Sequence, residues 1–330
     1  MNDKNRGYHD IGGLPGDAID RDERPMVFWE RRMEAVRDCI SRADRPLMSV
    51  DEMRRVIETM GKEAYNGLGF YEKKAAAVRD VLIEKGVLAA DELAARIERI
   101  RDRRDTAIRN LPDSYDHRHD HDEIKDDDPS PSEYSIISEA VYDCLVEKRL
   151  LSAETVGRMI ERMEQAGPAL GAAIVARAWT DSTFKATLLD DAKPALLKIG
   201  IDPLEAAFKV LQNTTEVHNV IVCTLCSCYP RSILGAPPAW YVSKAYRARV
   251  VREPRSVLAE FGTKIGENVE VRVHDSTADL RYMVLPMRPD GAEDWNAEEL
   301  AGLVNRDSLI GVTTATQPSG EAKPKGEVRD

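Results

Sequence analysis

The chain has 330 residues, 42% of them hydrophobic, and a formal net charge of −11. That length and apolar content suit two domains with a substantial core, and the acidic balance argues against a partner with a phosphate backbone. No signal-peptide pattern and no apolar run near membrane-spanning length is present, and five cysteines, three of them clustered, make no disulfide framework, so the expectation is a cytoplasmic protein with no membrane or nucleic-acid partner.

Residues 1–25 are polar and glycine-rich, the composition of an extended arm that gains stability only by lying on another surface. Helical spacing follows over 26–104. Ser49-Val50-Asp51-Glu52 is a capping box, with Met53, Val56, Ile57 and Met60 on one face behind it. A second helix carries Ala75, Val78 and Leu82 and stops near Gly86; a third carries Leu93, Ile97 and Ile100. Residues 111–133 then hold nine acidic side chains against Arg118 and Lys125, with His117, His119 and His121 between them. Such a stretch cannot bury enough apolar surface to order itself and reads as a solvated linker. The three histidines form either a loose metal chelate or simply part of a polar tether.

Past the linker, Ile137, Val141 and Leu145 define a helix, and Val156, Met159, Ile160 and Met163 the next; Ala169–Trp179 and Phe184–Leu197 continue the helical pattern. Val269, Val271 and Val273 alternate as in a half-buried strand, and Arg281–Leu285 and Leu309–Val312 read as further strands, while Ala245–Phe261 and Ala297–Val304 keep helical spacing. Helices leading into mixed strands and helices predict an α+β, layered α-β domain, with residues 314–330 as a disordered tail.

The tightest chemical constraint is Cys223-Thr224-Leu225-Cys226-Ser227-Cys228, directly after the apolar run Val217–Val222, so the loop sits at a strand-to-helix transition. Three soft sulfur donors in one short loop close over one side of a metal ion. Cys39 and Cys144 have no thiol or imidazole neighbour at ligand spacing. Zinc sites of the structural kind draw on two separated ligand pairs, and the second pair is missing. Cysteines at i, i+3 and i+5 meet one ion only if the backbone folds tightly, which brings the amide nitrogens of Ser227 and Cys228 beside it. Three sulfurs and two deprotonated amides leave a sixth position open. Donors of that strength favour a trivalent low-spin first-row ion, and the open position suits a hydration catalyst. Spacing alone leaves two other readings: a zinc knuckle with His218 as fourth ligand, or buried thiols acting as small apolar residues.

The segment Val222–Pro230 resembles the metal-binding segment of nitrile hydratase α subunits and of the related thiocyanate hydrolase γ subunit. The similarity continues through Ile233-Leu234-Gly235, Pro238–Tyr241, Tyr246–Arg255, Arg281–Pro286 and Arg306–Val312, spanning about 134–312. The resemblance implies one non-corrin Co(III) per chain, because threonine at position 224 goes with cobalt and serine there with iron. It also implies Cys226 as sulfinate, Cys228 as sulfenate and Cys223 as plain thiolate, oxidations that require metal-bound, low-pKa thiolates. His9-Asp10-Ile11-Gly12-Gly13 resembles the opening of the β chains, and Met48–Met60, Phe70-Tyr71 and Leu82–Leu93 follow that chain more loosely.

The chain therefore reads as a β-to-α fusion: 1–110 β-like, 111–133 linker, 134–330 α-like. The β family's small barrel has no counterpart, which implies a separate barrel-bearing subunit in a hetero-oligomer, with a metallochaperone as a further partner. Arg42 and Arg45 both lie in the region of the β-side arginine that the resemblance expects to bind the oxidised cysteines, with Arg45 the candidate carried forward, and Tyr71 is an outer-shell tyrosine. Arg231 stands where nitrile hydratases carry tryptophan and favours an anionic substrate. Nitrile hydration to an amide is the leading activity, thiocyanate hydrolysis to carbonyl sulfide and ammonia the alternative. A non-catalytic cobalt carrier, exploiting the His/Asp linker, is the reading from a different class.

Overall fold

The structure, a computed structural model, describes residues 7–109, 132–204, 207–225, 228–277 and 279–318. The linker histidines, Cys226 and Ser227 lie outside the described residues. Among these residues no helix is long and apolar enough to cross a membrane.

The chain forms two compact units that are interlaced along the sequence. The first takes the chain up to residue 9 and then 24–162; the second takes 10–23 and everything from 163 onward.

In the first unit, helices α1 (Phe28–Arg42), α2 (Val50–Thr59), α3 (Lys62–Gly67), α4 (Phe70–Glu84) and α5 (Ala90–Arg109) precede the linker, and α6 (Glu133–Glu147) and α7 (Ala153–Gln165) follow it. The capping box is present: Glu52 N–H donates to Ser49 Oγ at 3.1 Å and Ser49 N–H to the Glu52 carboxylate at 2.6 Å. The chain turns away from α4 at Gly86, whose φ of +66° suits a residue without a β-carbon. Helix α6 packs against α1, α4 and α5, burying Ile137, Val141 and Leu145 as the sequence spacing requires. Glu34 of α1 is buried among these helices and is matched by Lys74 Nζ at 2.5 Å and Arg37 at 3.1 Å. A carboxylate removed from water needs such partners.

The second unit continues with α8 (Pro168–Thr180), α9 (Ser182–Asp190) and α10 (Ala192–Leu197), then β1 (Ala207–Gln212) and β2 (Val217–Val222). Four helices follow, α11 (Arg231–Leu234), α12 (Ala239–Val242), α13 (Lys244–Arg252) and α14 (Pro254–Glu260). The unit closes with β3 (Glu270–Asp275), β4 (Leu280–Leu285), α15 (Ala297–Ala301) and α16 (Arg306–Ile310). The strands make two parallel pairs, β1 with β4 and β2 with β3, the second in the register Val217↔Glu270 to Val222↔Asp275. Strand β2 is buried on both sides and shares one core with Trp240, Tyr241, Tyr246, Leu309 and Ile310.

Two sequence expectations are corrected. Leu309–Val312 is not a strand: Asn305 accepts the Ser308 N–H, α16 starts there, and Gly311 ends it at φ +91°. The tail expectation also begins too early, because Ala315 is buried and Thr316 N–H donates to Leu303 O at 2.8 Å.

The arm behaves as its composition predicts. Residues 10–23 form no helix or strand, yet Ile11 and Ile19 are buried, Ile19 in the core of the second unit to which the segment belongs. Gly13 N–H donates to Ala248 O, Arg249 Nη1 to Asp17 O, and Ile19 N–H to Glu260 Oε2, all at 2.8–3.0 Å. Arg306 forms an ion pair with Glu23.

Candidate metal centre

The chain leaves β2 at Cys223, beyond the carboxyl end of a parallel strand pair, the place where α/β folds put ligand-binding loops. Cys223 is 1% exposed and Cys228 4% exposed. Between them Thr224 is tied to the last residue of β3. Its N–H donates to Asp275 Oδ1 at 3.0 Å and its hydroxyl to Asp275 Oδ2 at 2.5 Å. Asp275 itself is exposed.

From α13, buried Arg247 reaches up to the same loop, donating Nε to Cys223 O at 3.2 Å and Nη2 to Thr224 O at 2.8 Å. Tyr241 of α12 donates its hydroxyl to Cys228 O at 2.8 Å, and Tyr246 to Ile221 O at 2.7 Å. Burial pushes both phenols well above the ordinary tyrosine range, so they stay protonated as donors. Tyr241 also stacks edge-on with Tyr229, the residue that follows Cys228, with centroids 5.0 Å apart.

This arrangement fits a thiolate-bound transition metal. The carbonyl oxygens of Cys223, Thr224 and Cys228 are engaged by protein donors, so among the described residues they do not compete with the two buried sulfurs for an ion. The guanidinium of Arg247 adds positive charge beside a loop that becomes anionic when its thiols ionise.

The other cysteines are different. Cys39 is half-buried, and desolvation, aided by Asp38, pushes its thiol up to about 11. Cys144 is fully buried in α6 and is likewise raised by desolvation. Both remain protonated thiols at neutral pH, and both belong to the first unit. His218 does not complete a zinc knuckle. It sits at the opposite end of β2, about 16 Å of strand from Cys223, with Nε2 2.7 Å from Gly311 O and Nδ1 3.3 Å from Asn213 Nδ2. Burial lowers its pKa and keeps the ring neutral.

Among the sequence-derived site residues, Cys223 and Cys228 share this loop, and Arg231 is half-buried at the start of α11, three residues past Cys228. Arg45 and Tyr71 belong to the first unit; Arg45 is exposed, and Tyr71 is half-buried with its ring against Phe70 at 4.8 Å and Lys74 at 5.8 Å. Sequence reasoning missed Asp275, Arg247 and Tyr241. Tyr241 and Arg247 lie in segments that carry the family resemblance, which marks the segments but not these side chains, and Asp275 has no such signal.

The arm also reaches the loop. A β-carbon built on Gly12 would lie 2.9 Å from Thr224 Cγ2, so only glycine allows that approach.

On its fold and this loop the chain falls among mixed α-β proteins that carry a site on one cysteine loop at the end of a parallel strand pair. A sequence profile of the nitrile hydratase alpha chain matches residues 132–313, and one of the nitrile hydratase beta subunit N-terminal region matches 5–128. A low-molecular-weight cobalt-containing nitrile hydratase alpha subunit from Rhodococcus rhodochrous is 53% identical over 182 residues, covering 54% of this chain and 88% of the relative. Among solved structures, a recombinant thiocyanate hydrolase with partially modified cobalt centres superposes with a TM-score of 0.54 at 36% identity, covering 60% of this chain and 99% of that one. A histidine double mutant of the Fe-type nitrile hydratase of Comamonas testosteroni Ni1 superposes at 0.53 with 43% identity, covering 58% and 94%. The chain belongs to the nitrile hydratase family, joining a beta-type N-terminal region to an alpha chain, and is therefore a component of an enzyme.

Proposed function

We propose that this chain is the metal-binding subunit of a cobalt-dependent hydratase that adds water across a carbon–nitrogen triple bond, converting a nitrile to an amide. The observation that carries the reading is Thr224, pinned to Asp275 between two buried cysteines at the end of β2. Threonine there is the cobalt form of the motif, and the R. rhodochrous relative is named as cobalt-containing. Cys223, Cys226 and Cys228, with the amides of Ser227 and Cys228, would hold one non-corrin Co(III).

Bound there, the metal supplies Lewis acidity that polarises the nitrile nitrogen. Cys228, as a sulfenate, would either take the proton from a water that attacks the nitrile carbon, or attack that carbon through its own oxygen, after which water cleaves the S–O–C link, returning the sulfenate and releasing the amide. Cys226 as sulfinate is an acceptor that orients neighbouring donors. Arg247 and Tyr241 hold the backbone on either side so that these atoms are in place before substrate arrives. Arg45 is assigned to the oxidised cysteines and Tyr71 to the outer shell, both through the family resemblance. A separate barrel-bearing subunit completes the cytoplasmic hetero-oligomer.

Thiocyanate hydrolysis to carbonyl sulfide and ammonia is the second reading. It is favoured by half-buried Arg231, a cation suited to an anionic substrate, and by a 40% identical thiocyanate hydrolase gamma subunit from Thiobacillus thioparus.

Protein grown with cobalt should contain about one cobalt per chain, and the peptide carrying Cys223–Cys228 should gain three oxygen atoms by mass. Cys226→Ser and Cys228→Ser should lose both metal and turnover, while Cys39→Ser keeps both. Stoichiometric zinc, or three unmodified thiols in active protein, sinks the assignment; relative turnover of a simple nitrile and of thiocyanate decides between the two substrates.

A further inference from the structure

Ser276 directly follows Asp275 at the carboxyl end of β3. It is 3% exposed, and its hydroxyl has no hydrogen-bond partner among the described residues. Buried hydroxyls are normally satisfied, so an orphan beside a candidate site asks for an acceptor that forms in another state.

The register of the strands identifies that acceptor. Val222 pairs with Asp275, and Ser276 N–H donates to Val222 O at 2.7 Å, the bond that closes this last pair of the ladder. Cys223 and Ser276 are the residues that next follow this pair on the two chains. Paired residues of parallel strands project to the same face, and successive residues to opposite faces. The Asp275 carboxylate reaching the Thr224 hydroxyl shows this alternation continuing past the strand end, with Val222, Thr224 and Asp275 on one face. Cys223 and Ser276 therefore share the other face, and both are buried there.

A thiol is a weak acceptor for a serine hydroxyl, whereas a thiolate accepts a charge-assisted bond. We propose that Ser276 is a positioning residue for Cys223: its hydroxyl donates to the Cys223 sulfur once that sulfur binds metal as a thiolate, fixing its orientation and reducing its electron donation. The inference rests on the metal centre proposed above.

The test uses the full chain, with any partner subunit, grown in cobalt. Ser276→Ala should keep about one cobalt per chain and the same cysteine oxidation by peptide mass. Its sulfur-to-metal charge-transfer absorption should move to longer wavelength, because a thiolate without its hydrogen bond is the stronger donor. Turnover should fall roughly tenfold, as is usual when a residue behind a metal ligand is removed, and Ser276→Thr should restore band and rate. If Ser276→Ala yields no folded protein, Ser276→Cys, a weaker donor of similar size, should give an intermediate shift. A fully loaded variant whose band superposes on the parent's overturns the role of Ser276 alone; a parent lacking cobalt and the band overturns the metal reading itself.

Discussion

Gly12 of the N-terminal arm stands directly against Thr224 of the cysteine loop, so close that an added β-carbon would come within 2.9 Å of Thr224 Cγ2. The arm belongs to the beta-like part of the chain and the loop to the alpha-like part, yet both lie in one compact unit. Thr224 is thus held on two sides, by the Asp275 carboxylate and by the arm backbone.

Gly12→Ala tests this packing. Inserting a methyl group into a close contact costs about 1–3 kcal/mol, taken either from the docked arm or from the position of Thr224. The variant should show faster proteolysis within residues 10–23 and less than one cobalt per chain. Gly67→Ala, where an added β-carbon meets nothing within 4 Å, should change neither. Equal protease resistance and metal content in the two variants would remove the arm from the account of the site.

Arg247→Lys examines the grip on the loop backbone from below. Lysine keeps the charge but cannot donate from two fixed nitrogens to Cys223 O and Thr224 O at once. Leaving one buried carbonyl unmatched costs about 1–3 kcal/mol, and the loss falls on the loop that must wrap the metal. Denaturation of metal-free protein should show this decrease, and cobalt content should fall with it. Unchanged stability and full loading would make Arg247 a bystander.

Local signals were legible in the sequence where physics is local. The Ser49–Glu52 capping box, the stop at Gly86, the helical spacing of Ile137, Val141 and Leu145, and the arm composition of residues 1–25 each report on a few neighbouring residues. The cysteine loop stood out because three sulfurs fall within six residues, and the alpha-chain match over 132–313 includes it. Strand β1 was not, since its only alternation is Phe208 and Val210 buried around Lys209. Leu309-Ile310 misled because a short apolar run does not distinguish strand from helix; the Asn305 cap and Gly311 decide it. Asp275 and Ser276 were invisible because their meaning comes from a parallel register joining residues about 50 positions apart. The interlacing of the two units was hidden for the same reason: composition does not say which segment a surface receives.

Acid should loosen the arm in a defined direction. The Glu260 carboxylate accepts from Arg249 Nη2 at 2.5 Å and from Ile19 N–H at 3.0 Å, and these bonds, Arg249 first, hold its pKa below the ordinary glutamate value. A carboxyl depressed in the folded state adds stability that is complete above its unfolded pKa of about 4.3. That stability is lost as pH falls through the lower folded value. The stability difference between the parent and Glu260→Gln should therefore be constant above about pH 5.5 and shrink steadily below about pH 4.3. Denaturant titrations of both proteins across that range measure it. A difference that stays constant to pH 3 would show that Glu260 does not anchor the arm through its charge.

The partner subunit is the last expectation. Leu225, in the middle of the cysteine loop, is 45% exposed in the whole chain, and Asp275 beside Thr224 is exposed as well. A single exposed leucine is ordinary on a protein surface, so Leu225 serves here as the position at which a covering subunit can be detected. In the hydration reaction proposed above, water reaching this loop would screen the charges that stabilise the attack, since such stabilisation depends on a dry, preorganised site. The resemblance to beta chains implies a small barrel after the helices; here the match is to the beta N-terminal region alone, and α5 leads through residues 110–131 to α6. A separate subunit bearing that barrel should therefore cover the loop. Purified alone, the chain should bind cobalt yet turn over nitrile or thiocyanate roughly 100-fold more slowly than the complex. Adding a bulky label at position 225, through Leu225→Cys, should block assembly with the subunit. Full turnover by the isolated chain, or unimpeded assembly of the labelled variant, would show that the loop works uncovered.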